Sequence, residues 1–75
     1  MSDKYIALIA ILKKLRLSLG LSQKDVSELM KKPQSYISKI ENLNQELSVN
    51  DLFVLLLIYK QSASQVMRIL EGDNC

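Results

Sequence analysis

The chain has 75 residues, of which 48% are hydrophobic, and a formal net charge of +2. This length allows one domain near the lower size limit for independent folding, so a compact helical core or a partner must cover the apolar side chains. The sequence has no histidine and one cysteine, Cys75, which argues against a disulfide framework, a zinc site and an activated thiol nucleophile. We interpret Cys75 as an unreactive terminal residue of a protein from a reducing cytoplasm.

The charged residues are unevenly distributed along the chain. Positions 13–39 carry a net charge of +5, whereas positions 40–75 carry −3. A basic central segment indicates an anionic partner that meets one face of the protein, although an ordinary solvated surface explains the pattern equally well. The two longest apolar runs, 5–12 and 52–59, have eight residues each, far below the ~20 residues of a membrane span. We therefore expect no membrane insertion, and the lysines after the first run argue against a signal peptide.

Apolar residues at three- and four-residue spacing predict helices along the whole chain. The first helix is predicted over about 4–19 and ends at Gly20, because glycine readily takes the left-handed conformation that closes a helix. The second covers 23–30, with Ser22 as its cap and Asp25 as an approximate capping-box partner.

A Lys-Lys-Pro run at 31–33 interrupts the pattern, because proline disfavours a helical conformation in the residue before it and suits the first turn of the next helix. Three further helices are predicted over about 34–42, 49–59 and 63–70, the last two after the capping residues Ser48 and Ser62. The chain is thus expected to form a single all-α domain, residues 1–75, with five helices.

The second and third predicted helices are short and joined by a tight turn, as in a helix-turn-helix. Ile37 and Ile40 make one face of the third helix apolar, so this face is expected to pack against the body of the protein. The opposite face is small and polar, which would let the helix approach bases in the major groove of double-stranded DNA. Its members are Ser35, Ser38, Lys39 and Asn42, with Gln34 at the leading end of the helix.

The run Leu21-Ser22-Gln23, together with the stretch from Lys32 to Asn42, resembles the Cro/cI-type helix-turn-helix regulators, also called the xenobiotic-response-element family. The resemblance covers about residues 12–60. It implies a compact five-helix, lambda-repressor-like DNA-binding domain that needs no cofactor. It also implies a bacterial or phage-encoded protein of the cytoplasm, associated with the nucleoid.

The resemblance further implies roles for individual residues. Those expected to contact bases are Gln34, Ser35 and Lys39, with Ser38 beside them near the groove wall. Those expected to contact phosphates are Gln23, Tyr36 and Asn42, joined by Lys24 and Lys32 from the basic segment. Half-buried packing explains Tyr36 equally well, and a solvated surface also explains each lysine. Arg16 and Glu41 match a pair that forms an ion bridge between the first and third helices and so orients the recognition helix.

The sequence departs from the family pattern at two positions where glycine is usual. Lys31 stands in the turn, where a left-handed backbone would cost it roughly 1 kcal/mol relative to glycine. We therefore expect the turn to have a different shape. Leu43 follows the third helix, and we expect Asn42 or Asn44 to take the left-handed cap in its place.

The fourth helix is apolar on nearly every side, although a stripe of residues 52, 55, 56 and 59 suffices to face the core. Our hypothesis is that the fourth and fifth helices form a symmetric dimer interface that includes Val54, Leu57, Ile58, Val66, Met67 and Leu70. A dimer would present two recognition helices to successive major grooves, about 34 Å apart, on an inverted repeat. The alternatives are that Ile6 and Ile11 of the first helix form the interface, or that the five helices wrap the fourth completely within one chain.

The leading hypothesis for function is a sequence-specific transcription repressor. An antitoxin of the same fold, which would autoregulate its operon and bind a toxin protein, is the second, and an interaction module without DNA affinity is the third. An enzyme is not expected, because the sequence has no histidine, no usefully spaced pair of carboxylates and no glycine-rich phosphate loop.

Overall fold

A computed structural model describes residues 1–72, so Cys75 lies outside the described residues. In this part of the chain the structure has five helices and no strand, which confirms the predicted all-α, lambda-repressor-like fold. The helices are α1 (Asp3–Ser18), α2 (Gln23–Met30), α3 (Gln34–Glu41), α4 (Val49–Ile58) and α5 (Ala63–Leu70). None of the helices in residues 1–72 is long and apolar enough to cross a membrane.

Serine caps set the starts of four helices. The side chain of each serine accepts the backbone N–H of the residue three positions further on, which satisfies one of the free donors of the first turn. The four serines are Ser2, Ser22, Ser48 and Ser62. At α2 and α5 the third residue, Asp25 or Gln65, bonds back to the backbone of its serine and completes a capping box. Pro33 precedes α3 and provides no side-chain cap.

The backbone after α2 and after α3 differs from what we expected from the sequence. Lys31 has a φ of 59° and Leu43 a φ of 64°, so both take the left-handed conformation that glycine usually takes. Asn42, proposed as a substitute for Leu43, has a φ of −90°. The reason is the paired backbone hydrogen bonds that close each helix, such as Lys32 N–H to the Ser27 carbonyl at 2.9 Å. These bonds need a left-handed residue at that place whatever its side chain, and they offset its local cost.

The hydrophobic core draws on every helix. It consists of Ile9 and Leu12 from α1, Val26 from α2, Ile37 and Ile40 from α3, Leu55 and Leu56 from α4, Tyr59 directly after α4, and Val66 from α5. Val66 was predicted to lie in the dimer interface. This prediction is wrong, because Val66 is only 3% exposed and packs inside the single chain. The hydroxyl oxygen of Tyr5 accepts the N–H of Leu47 at 2.8 Å and ties α1 to the segment before α4.

Candidate nucleic-acid interface

Helices α2 and α3 pack against each other across the turn at residues 31–33, and α3 turns one polar face to solvent. Ile37 and Ile40 are buried, which fixes the rotation of α3 about its own axis. On the outer face Gln34, Ser35, Lys39 and Asn42 are exposed, and Ser38 is half-buried. The Asn42 amide donates to the Ser38 hydroxyl at 3.3 Å. The residues expected to contact bases thus share one accessible surface.

A buried ion pair holds the C-terminal end of α3. Arg16 Nε donates to Glu41 Oε2 at 2.7 Å and Nη2 donates to Oε1 at 3.0 Å, with both side chains only 7% exposed. Arg16 Nη1 also donates to the carbonyl of Leu21 at 2.8 Å, so the guanidinium connects α1, the loop before α2, and α3. The hydrogen bonds to Glu41 raise the pKa of Arg16 against the opposing effect of burial. The two residues that resemble the family's ion bridge therefore lie in direct contact.

Gln23 joins the same cluster from the first turn of α2. Its Nε2 donates to Glu41 Oε1 at 3.0 Å, so the carboxylate accepts hydrogen bonds from both α1 and α2. A glutamine amide has two N–H donors. One N–H is used by Glu41, and the other is available for an anion beside the N-terminus of α2, where the helix dipole favours negative charge.

A second polar cluster holds the N-terminal end of α3. The Tyr36 hydroxyl donates to Asp51 Oδ2, and Asp51 is buried at the start of α4. The ammonium of Lys32 lies 4.0 Å from the same oxygen and 5.2 Å from the centre of the Tyr36 ring. Burial, followed by the bond to Asp51, raises the pKa of Tyr36 to about 12. The Tyr36 proton is directed to Asp51, so at Tyr36 the structure favours half-buried packing over donation to a phosphate.

The sequence reasoning did not identify Asp51 as part of this cluster. The spacing of Ser48 and Asp51 resembles a capping box, and that pattern places the carboxylate at the first turn of α4. No local pattern connects it with Tyr36, which is 15 positions earlier in the chain. Lys24 and Lys32, the other residues expected at phosphates, are exposed on α2 and in the turn.

A second, apolar surface lies on α4 and α5. Leu57 is 78% exposed, and Phe53 and Met67 are each 54% exposed. Val54, Ile58 and Leu70 are half-buried. A groove of about 200 Å³ runs between α1, α4 and α5, and no polar side chain lines it. Its walls are Leu8, Leu52, Phe53, Leu56, Ala63, Val66, Met67 and Leu70.

Among residues 1–72, no group of three or more histidine, cysteine, aspartate or glutamate side chains is placed to hold a metal ion. The two clusters around α3 are a buried ion pair with a glutamine and a tyrosine–carboxylate–lysine contact. Such arrangements orient helices and present polar groups.

Comparison with known proteins agrees with the helix-turn-helix fold. The helix-turn-helix family model matches residues 12–65, which is more than half of the chain and includes α2, α3 and the ion pair. The protein is therefore a helix-turn-helix DNA-binding protein. More narrowly, it belongs to the family of Cro/cI-type transcription regulators, and the resemblance inferred from the sequence is confirmed. No curated protein and no solved structure matched the chain.

Proposed function

We propose that this regulator is a repressor that binds an inverted-repeat operator as a homodimer and reads bases with α3. The observation that carries the proposal is the exposed polar face of α3, whose opposite face is buried and whose two ends are each bonded to another helix. A helix held in this way can enter the major groove as a rigid unit. Repression requires only that the bound protein occupy a promoter. In this proposal the protein acts on the bacterial nucleoid in the cytoplasm.

Base contacts in this proposal come from Gln34, Ser35, Ser38 and Lys39. Gln34 is the first residue of α3 and is exposed, so its amide can pair with adenine N6 and N7. Lys39 is exposed one turn further along the helix and can donate to guanine O6 and N7. The serine hydroxyls are short and accept or donate with little discrimination.

Phosphate contacts come from Gln23, Lys24, Lys32 and Asn42 in this proposal. Gln23 and Lys24 lie in the first turn of α2, where the helix dipole and free N–H groups favour an anion. Asn42 lies at the C-terminal end of α3, where they do not, so its contact would depend on its side-chain amide alone. Gln23 has the best geometry, because its bond to Glu41 orients the amide. These contacts position the protein on DNA without reading sequence.

Selection of bound sites from random duplex DNA tests the sequence-reading part of the proposal. We expect an enriched inverted repeat, with an affinity that falls steeply as the salt concentration rises. Gln34→Ala and Lys39→Ala should each weaken binding to the selected site by about 10- to 100-fold. Lys60→Ala removes the same charge at the far end of α4 and should leave binding near the wild-type value. The absence of an enriched site would refute the proposal.

The dimer in this proposal uses the apolar surface of α4 and α5. Leu57 is 78% exposed, and an apolar surface of this kind in a small domain favours association. Phe53 joins the residues expected from the sequence because it is 54% exposed on the same helix, whereas the buried Val66 supports the surface from beneath. Two copies joined there form a closed symmetric pair, as an inverted repeat requires.

Light scattering without DNA tests the dimer. We expect twice the chain mass at tens of micromolar for the wild type and the single mass for Leu57→Glu. Leu29→Glu is the matched control, because Leu29 is 58% exposed on α2 and does not belong to the apolar surface of α4 and α5, so this variant should remain dimeric. A monomeric wild type would refute the dimer. A dimer that is lost in Ile6→Glu and kept in Leu57→Glu would place the interface on α1 instead.

An antitoxin of the same fold is the second candidate, and the all-apolar groove between α1, α4 and α5 favours it. Apolar side chains of a toxin protein could enter this groove. A pull-down from the source cells distinguishes the candidates. A toxin recovered in equal amounts with the wild type and lost with Met67→Glu, which alters an exposed wall of the groove, would support the antitoxin. Clean homodimers that bind the operator would support the repressor.

A further inference from the structure

The two ends of α3 are held by chemically different contacts. The C-terminal end is held by the Arg16–Glu41 ion pair. The N-terminal end, which carries Gln34 and Ser35, follows Pro33 and has no side-chain cap. The Tyr36 hydroxyl supplies the direct bond at this end, and it reaches Asp51 of α4. The orientation of the first turn of α3 therefore depends on a residue outside the helix-turn-helix itself.

Asp51 has the features of a built anchor. Asp51 is 8% exposed, its carboxylate accepts a hydrogen bond from the Tyr36 hydroxyl, and its backbone N–H donates to Ser48 Oγ at 3.1 Å. The Lys32 ammonium lies 4.0 Å away and balances the carboxylate charge. Lys32 also lies over the Tyr36 ring, so the turn, α3 and α4 meet at one carboxylate.

We propose that Asp51 is a positioning residue for sequence recognition, which holds Tyr36 and thereby the first turn of α3 in the orientation that reads bases. The inference rests on the proposed function, because it concerns how the same helix meets DNA. Hydrogen bonds to base edges require side chains held to within about 0.5 Å. Attraction between lysines and phosphates tolerates a small tilt of the helix, because it depends on charge at longer range. Loss of the anchor should therefore reduce discrimination between sequences more than general DNA affinity.

The experiment compares binding to the selected site with binding to a scrambled duplex across a salt series. Tyr36→Phe keeps the ring and removes the bond, and Asp51→Ala removes the acceptor. Each should lower the ratio of the two affinities by about tenfold. In Tyr36→Phe, which changes no charge, the affinity for the scrambled duplex and the slope against salt should stay unchanged. The double variant should lose no more than either single variant, because both changes remove the same contact. Asp51→Asn keeps an acceptor oxygen for Tyr36 and should retain most of the discrimination.

Tyr5→Phe is the matched control. It removes one tyrosine hydroxyl that is bonded elsewhere, to the N–H of Leu47, and should lower stability while leaving the ratio unchanged. All variants are measured at temperatures where circular dichroism shows them folded. Where Asp51→Ala does not fold, Tyr36→Phe carries the test, because its ring still fills the same space.

Several outcomes would overturn the inference. One is an unchanged ratio in folded Tyr36→Phe, and another is an equal loss of discrimination in Tyr5→Phe. A loss in Asp51→Asn as large as in Asp51→Ala would also refute a role through the hydrogen bond. These results leave the proposed function standing. A wild-type protein that selects no site would overturn both.

Discussion

Replacement of Arg16 by methionine removes one partner of a buried ion pair and keeps most of the aliphatic volume. Glu41 is 7% exposed, and without Arg16 its carboxylate keeps only the bond from Gln23 at 3.0 Å. Breaking a buried pair in this way costs about 3–5 kcal/mol, because one charge remains buried without compensation. A chain of this size has a total unfolding free energy of roughly 4–11 kcal/mol. Arg16→Met should therefore lose a large fraction of the stability of the protein.

Urea unfolding followed by circular dichroism at 222 nm measures this loss. The double variant Arg16→Met, Glu41→Leu removes both charges and should recover most of it, to within about 1–2 kcal/mol of the wild type, since an apolar pair can replace a buried ion pair. Arg68→Met is the matched control. Arg68 is exposed on α5, and its loss should change the unfolding free energy by less than about 0.5 kcal/mol.

Two results would refute this reasoning. The first is an Arg16→Met variant within about 1 kcal/mol of the wild type, which would mean that solvent reaches the pair and screens it. The second is strict additivity in the double-mutant cycle, since contacting residues must couple. Either result would remove the Arg16–Glu41 pair as the support of the C-terminal end of α3.

Three further predictions follow from the backbone and the buried tyrosines. Lys60→Gly should stabilise the protein by about 0.5–1 kcal/mol in thermal unfolding, because Lys60 is exposed and its φ of 57° is a left-handed conformation that costs less for glycine. Leu43→Gly should not stabilise the protein, because Leu43 also packs on the core. Equal gains at both sites would contradict this explanation. Ser22→Ala should lose about 1 kcal/mol with the α2 cap, and an unchanged melting temperature would count against the cap. Burial raises the pKa of Tyr59 to about 12, as at Tyr36; the folded state therefore favours the neutral phenols, and stability should fall as the pH rises from about 10 toward 12. Absorbance at 295 nm checks this, and titration of Tyr36 and Tyr59 near pH 10 without unfolding would contradict it.

Much of the fold could be predicted from the sequence because its signals are local. Serines at positions 22, 48 and 62 indicate helix starts, and the side chain of each accepts the backbone N–H of the residue three positions further on. Gly20, with a φ of 72°, ends α1 as expected. The prediction for Lys31 and Leu43 was wrong because local preference weighs the cost of a left-handed residue and does not include the closing hydrogen bonds.

The candidate site divides in the same way. The helical period alone places Ser35 and Lys39 opposite Ile37 and Ile40, with Gln34 at the start of the helix, and burial in the structure follows that grouping. The interface hypothesis included Val66 because the sequence does not show whether an apolar residue on an amphipathic helix is buried in its own chain or against a partner. Its 3% exposure results from the packing of α5 against the rest of the chain.

The sequence by itself determined the number of helices, their capped starts and the polar face of α3, because each depends on residues within about one turn of one another. Only the tertiary structure decided which distant groups meet there. It brings Asp51 of α4 to Tyr36 and Gln23 of α2 to Glu41, and it covers Val66 while leaving Leu57 in solvent. The physical reason is that contacts across 15 or 18 positions depend on how whole helices pack. That packing cannot be inferred from a short stretch of sequence.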